Sequence, residues 1–156
     1  MQSIDNRATL LLDQLKGDIK PNSKVYLACD HFTAFALFEL VDTLKKAASV
    51  QVLLNSKFEA EPFQLIQATW EAPLNLELDR RYRVQQVLGL LEDKFEIRRG
   101  STSNQNILIV QTEKVVKTFL LTPSNLDSVA LGTLGSATPT LINVFDQGTY
   151  LLLALC

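Results

Sequence analysis

The sequence is poor in the residues that most often carry catalytic or metal chemistry. Its 156 residues hold one histidine, two cysteines, one methionine and one tryptophan. One imidazole and two thiols cannot complete a familiar zinc site without carboxylates or a second subunit, so neither a metal nor another cofactor is expected. Cys29 and Cys156 lie far apart in the chain. A bridge between them is open, but two isolated thiols read more simply as a reduced protein, with the cytoplasm as the expected location. Excess charge is also lacking: 15 basic and 17 acidic side chains leave a formal −2. That balance removes the global electrostatic footprint of a nucleic-acid binder and leaves only local basic patches. No apolar run approaches the roughly 20 residues of a membrane span, so no membrane contact is expected. The start, Met1-Gln2-Ser3-Ile4-Asp5, has neither a basic opening nor an apolar run, and no signal peptide is expected.

What is present describes an ordinary globular chain. Hydrophobic residues make up 47% and charged residues 21%, enough apolar surface to offset the entropy of ordering. The length suits a single domain over residues 1–156, which would bury about two-thirds of the surface its unfolded chain exposes. The hydrophobic period then alternates along the chain. Ile4, Ala8, Leu11, Leu12 and Leu15 have helical spacing, with Ser3 as N-cap and Gly17 as stop. Lys24 to Cys29 is a nearly continuous apolar run, as in a strand covered on both faces. Thr33 caps an expected helix through Ala47, and Val50 to Leu54 forms the next strand, giving a β-α-β unit with parallel strands. Phe58 to Glu71 is ambiguous between two prolines, whereas Asp79 to Lys94 repeats apolar residues at helical spacing.

The second half changes character. Phe95 to Arg99 alternates, and a polar loop runs from Gly100 to Gln105. Asn106 to Val110 and Val115 to Leu121 suit a hairpin. Ser124-Asn125 opens a short helical stretch, Leu126 to Leu131, followed by a Gly/Ser/Thr/Pro loop through Pro139. A final hairpin is expected over Leu141 to Phe145 and Thr149 to Leu153, turning at Asp146-Gln147-Gly148. The expected fold class is α/β: a mixed sheet with helices on both faces, a β-α-β opening and an antiparallel C-terminal half.

Three segments carry a likeness to a known family. They are "KVYLACDHFTAFALFELVDTLKKAASVQVLLNS", "DRRYRVQQVLGLLEDKFEIRRGSTSNQNILIV" and "VVKTFLLTPSNLDSVALGTLGSATPTLINVFD". Their order of elements resembles the phospholipase-D-like domain of single-domain nucleases and of some bacterial helicase-type restriction and defence proteins. The best single match is Thr122-Pro123-Ser124-Asn125-Leu126-Asp127, which is similar to the family's Gly-Ser-x-Asn-Leu-Thr turn. Active members carry H-x-K-x4-D, in which a histidine is the nucleophile, a lysine steadies the phosphate and an acid orients the histidine. Here the matching stretch is Gln105-Asn106-Ile107-Leu108-Ile109, with neither histidine nor lysine. Asn and Gln cannot act as nucleophile or general acid, so the resemblance implies a degenerate member without the family's catalysis. It also implies pairing as a homodimer, because single-motif relatives pair.

Each candidate site has an ordinary reading beside it. Cys29-Asp30-His31 is the densest cluster of reactive side chains and follows the first apolar strand, where α/β sheets form ligand crevices. Adjacent residues of an extended chain point to opposite sides, so Asp30 and His31 do not readily pair, while Cys29 and His31 share a face. A buried structural cysteine followed by a capping residue is the preferred reading. Arg80, Arg81, Arg83, Arg98 and Arg99 could line a phosphate-binding face. Their ordinary reading is surface pairing with Glu77, Asp79, Glu92, Asp93 and Glu96. Ser124 and Asn125 offer a hydroxyl and an amide to phosphate, or Asn125 caps the short helix. Trp70 is weak support for a partner contact.

The leading expectation is a non-catalytic module that binds nucleic acid, or a protein partner, in a DNA-processing or defence system. The runner-up is a divergent phosphodiesterase, nuclease or small hydrolase using Cys29, Asp30 or His31. A third reading is a structural oligomerisation subunit, whose apolar C-terminal run Tyr150 to Cys156 completes a partner's sheet.

Overall fold

The computed structural model describes residues 2–29, 31–32, 34–55, 85–86, 89, 93–100, 106–121, 125–126, 128–133 and 142–147. They form nine strands and three helices: β1 (Gln2–Ile4), α1 (Leu11–Asp18), β2 (Lys24–Cys29), β3 (His31–Phe32), α2 (Ala34–Leu44), β4 (Ser49–Asn55), β5 (Phe95–Gly100), β6 (Asn106–Gln111), β7 (Val116–Leu121), β8 (Asn125–Leu126), α3 (Ser128–Leu131) and β9 (Ile142–Gln147). Seven strands make one mixed sheet in the order β1-β9-β7-β6-β2-β4-β5, and β3 pairs with β8 apart from it. The fold is α/β, with the expected β-α-β opening. β2 runs parallel to β4 from Lys24↔Ser49 to Cys29↔Leu54, and β4 runs parallel to β5. The later strands are antiparallel, β6 to β7 and β7 to β9, and β2 is antiparallel to β6. Among the described residues no helix is long and apolar enough to cross a membrane.

The registers stack one face of the sheet into continuous apolar rows. Val144, Phe119, Leu108, Leu27 and Val52 follow one another across five strands, and all are buried. Beneath them run Val110, Val25 and Val50. Helices α1, α2 and α3 touch one another, and their buried residues, among them Leu11, Leu15, Leu37, Leu40 and Leu131, join these rows in one core. The alternate residues of the central strands, Tyr26, Ala28, Ile107 and Ile109, are only half-buried. Of the helix expected over 79–94, Gln85, Gln86 and Gly89 are helical and exposed. The rest of its span to residue 92, the ambiguous segment 58–71, the cap at Thr33 and the strand expected at 149–153 lie outside the described residues.

The N-terminal helix begins later than its apolar spacing suggests, and local polar chemistry explains why. Ser3 is a strand residue, and its hydroxyl donates to Asn143 Oδ1 at 3.0 Å. Asp5 Oδ1 accepts the backbone N–H groups of Arg7 at 3.0 Å and Ala8 at 3.2 Å. These bonds hold the carboxyl below its ordinary pKa, and they offer the backbone an alternative to helix. Asn6 then takes a left-handed conformation with φ 58°. Its side chain reaches across the fold: Nδ2 donates to the carbonyls of Val129 at 3.0 Å and Ala130 at 2.8 Å, while Oδ1 accepts Leu11 N–H at 2.8 Å. One residue therefore caps the start of α1 and the last carbonyls of α3. Gly17 does not stop the helix, which continues to Asp18. There Lys117 Nζ of β7 binds Asp18 Oδ1 at 2.6 Å, fixing the end of α1 to the sheet.

Gly132 completes the Asn6 joint. It ends α3 at φ +80°, and a Cβ there would stand 2.7 Å from Asn6 Oδ1 and 2.8 Å from Leu10 Cδ2. A side chain at this position is strained by the backbone alone, and the crowding adds to it. Asn6→Ala is expected to lower unfolding stability by about 1–3 kcal/mol, because it leaves a buried helix end unsatisfied. Gly132→Ala is expected to cost at least about 1 kcal/mol. Urea midpoints of the two variants and their double variant check both; the combined effect should be smaller than the sum, since both changes open one joint.

Candidate functional site

Strands β2, β4, β5 and β7 end on one edge of the sheet, where β6 and β9 begin. In α/β folds the carboxyl ends of parallel strands form the usual ligand crevice. Cys29, Asn55, Gly100, Asn106 and Leu121 are the strand residues that meet there. Beyond that edge the chain makes one further connection. β3 follows β2 after a single residue and β8 follows β7 after three, and the two short strands pair in parallel with His31↔Asn125 and Phe32↔Leu126. β6 lies between β7 and β2, so the β3–β8 pairing joins the chain beyond the two strands that flank it.

The structure brings some candidate residues together and separates others. Cys29 is the last residue of β2 and fully buried in the core, as the structural reading of a thiol requires. His31, the sole histidine, shares a register position with Asn125. Asn125 is a strand residue rather than the start of a helical stretch. Asp30, Ser124, Arg80, Arg81, Arg83 and Trp70 lie outside the described residues. Arg98 and Arg99 are consecutive in β5, so they belong to opposite faces of the sheet and do not line a common one. Arg98 is exposed, and its Nε donates to Glu96 Oε1 at 2.8 Å. Glu96 Oε2 also accepts Gln51 Nε2 at 3.1 Å. Arg99 stands opposite Leu54 at the carboxyl end of β4.

β6 has one buried and one half-buried face. Its inward face carries Asn106, Leu108 and Val110, all at most 2% exposed. Position 108 is sealed between Leu27 on β2 and Phe119 on β7. A histidine and lysine two residues apart on this strand would fall on that same face, and the sequence supplies neither. Among the described residues, no three His, Cys, Asp or Glu side chains cluster closely enough to hold a metal ion.

A groove of about 570 Å³ opens at the opposite edge of the sheet, lined by Asp18, Lys20, Pro21, Val110, Thr112–Val115 and Lys117. Two of its charges, Asp18 and Lys117, already bind each other, and it lies far from the β3–β8 ribbon. Neither feature has a signal in the sequence pattern. The two-residue strands are too short to show a period, and the groove is assembled from turns.

No family model matches the sequence, and no curated protein matches it. Among solved structures, the chain is similar to a histidine-to-asparagine mutant of yeast tyrosyl-DNA phosphodiesterase, with a TM-score of 0.52 and 13% identity. The match covers 92% of this chain and 30% of that enzyme. At this identity the likeness is one of fold, and the fold is phospholipase-D-like.

The sealed environment of β6 has a measurable consequence. Leu108→Lys is expected to destabilise the protein by about 3–5 kcal/mol, because it leaves an uncompensated charge in the core. Leu108→Met should cost less than about 1.5 kcal/mol. Chemical denaturation of both variants separates a sealed strand, which gives this large difference, from an open phosphate pocket, in which lysine is tolerated.

Proposed function

We propose that the chain is a non-catalytic phospholipase-D-like module that binds nucleic acid in a DNA-processing or defence system. What supports this reading is β6, where Asn106 and Leu108 are buried on the strand that the resemblance sets against the family's catalytic one. Without an imidazole and an ammonium on that strand, the family's covalent phosphohistidine route is closed to it. Phosphate binding needs less: cationic forks, amides and hydroxyls suffice, and they work without activating a nucleophile.

Arg80, Arg81, Arg83, Arg98 and Arg99, with Ser124 and Asn125, are the residues assigned to the phosphates. The Arg98–Glu96 pair is no obstacle, because an exposed ion pair is worth little and exchanges readily for a phosphate. The small net charge of −2 places the attraction in local patches rather than in the field of the whole molecule. The module works as a homodimer within the reduced interior of the cell, and the apolar run Tyr150 to Cys156 supports an additional protein contact.

Fluorescence anisotropy of labelled DNA and RNA oligonucleotides at two salt concentrations, with the same samples run on a denaturing gel, tests this reading. Binding should be nearly independent of sequence, weaken steeply with salt, and leave the oligonucleotide intact. The double variant Arg98→Ala/Arg99→Ala should weaken binding to all sequences alike and lower the salt slope by about one for each phosphate no longer neutralised. Cleavage of the wild-type sample would overturn the non-catalytic assignment. Absence of binding would move the function to a protein partner.

A further inference from the structure

We propose that the groove at the amino edge of the sheet docks an acidic peptide segment of a partner protein, one that carries an aliphatic side chain among its carboxylates. The site is separate from the residues assigned to nucleic acid. Its walls are held by their own hydrogen bonds. One wall is the turn between α1 and β2, where Lys20 N–H donates to Ser23 Oγ at 2.9 Å and Ser23 N–H donates to the Lys20 carbonyl at 3.0 Å. The other is the β6–β7 hairpin. There Thr112 N–H and Oγ1 donate to the Val115 carbonyl at 2.9 and 3.0 Å, and Val115 N–H donates to Thr112 Oγ1 at 3.1 Å. The Lys117–Asp18 ion pair, at 2.6 Å, joins the two sides. A groove fixed in this way loses little entropy when a ligand docks.

The charge around it favours an anion. Every lysine among the described residues lies at this edge: at or just beyond the ends of α1 and α2, at the starts of β2, β5 and β7, or in the β6–β7 hairpin. The described arginines, Arg7, Arg98 and Arg99, do not. Lys16, Lys45 and Lys117 are paired with Asp13, Asp42 and Asp18, and Lys94 Nζ donates to the Lys45 carbonyl. Lys20, Lys24, Lys46 and Lys114 are exposed, with no carboxylate in ion-pairing reach among the described residues. Only Asp93 and Glu113 are unpaired acids at this edge among the same residues. Lys20 and Lys114 line the groove itself, one on each wall.

The lining is also aliphatic. Pro21 and Val115 belong to it, and Val115 is 42% exposed, one of two large hydrophobic residues so exposed among those described. An uncovered valine next to Lys114 complements a ligand that is anionic and aliphatic at once. A volume of about 570 Å³ is that of a ligand cleft, and its concave shape suits a peptide rather than a flat membrane surface. Among the described residues neither arginine nor an aromatic side chain lines it. It therefore lacks the guanidinium fork and the stacking platform of a nucleic-acid channel.

The test titrates the full chain into a fluorescein-labelled peptide, a leucine flanked on both sides by glutamates, and follows anisotropy. The wild type should bind it saturably, and heteronuclear NMR at saturation should show amide shifts within residues 17–22 and 112–117. Lys20→Gln/Lys114→Gln should bind about tenfold more weakly, the effect of losing two exposed ion pairs, with an unchanged urea midpoint. Lys16→Gln/Lys46→Gln removes the same charge from outside the groove and should bind as the wild type does. Exchanging the peptide's leucine for glycine should also weaken binding about tenfold, the loss of one buried side chain. Equal weakening by the two double variants would mean unlocalised attraction and overturn the site, as would a wild type that does not bind. Displacement of the peptide by oligothymidylate, with shifts in the same residues, would make the groove a nucleic-acid contact and overturn the peptide assignment.

Discussion

The carboxamide of Asn6 bonds in two directions at once, accepting the first free N–H of α1 and donating to the last carbonyls of α3. Both helix ends would otherwise bury unsatisfied backbone groups. The joint works only because Asn6 sits in a left-handed conformation and because Gly132 leaves room for it. Its influence passes up the chain. α3 begins two residues after β8, so fixing the helix fixes the strand that carries Asn125, and β8 in turn sets the position of β3 and His31. A polar contact in the N-terminal loop thereby bears on a ribbon whose two strands lie more than 20 and almost 120 residues further along the chain.

The sheet divides its work between a face and an edge. Its inward face is given to packing: β6 contributes Asn106, Leu108 and Val110, all buried, and Leu108 and Val110 share one core with the buried residues of the helices. At the carboxyl edge, polar residues belong to β3, β5 and β8, the elements adjoining β2, β4 and β7. Under the proposed function, this edge serves recognition rather than turnover. A binding site needs donors at the right spacing, whereas the covalent route needs an activated nucleophile with an acid to serve it. The opposite edge has a structural task, since the Lys117–Asp18 ion pair locks α1 onto β7 there.

Much of this is legible in the sequence, and the reasons for the rest are physical. The β-α-β opening and the β6–β7 hairpin follow from periods long enough to read, six residues or more in most cases. The likeness of element order points to the phospholipase-D-like fold that the structure shows. The start of the first helix is hidden because Ile4 and Ala8 have helical spacing, and only the bonds of Asp5 to Arg7 and Ala8 reveal a turn in that stretch. Asn125 reads as a cap from its neighbours, yet it pairs with a residue in the other half of the chain. No local rule foresees that pairing. Nor does composition show that Arg98 and Arg99 fall on opposite faces, although the strand period does once β5 is known to be a strand.

The most direct measurement is amide mapping by heteronuclear NMR of the labelled full chain with a saturating short oligonucleotide. The largest shifts should fall on Arg98 and Arg99 of β5 and on Asn125 of β8, the described residues assigned to the phosphates. Residues 17–22 and 112–117, around the groove at the far edge, should remain unmoved. Shifts confined to the groove, or absent from β5 and β8 while binding is saturated, would contradict a nucleic-acid site at the carboxyl edge.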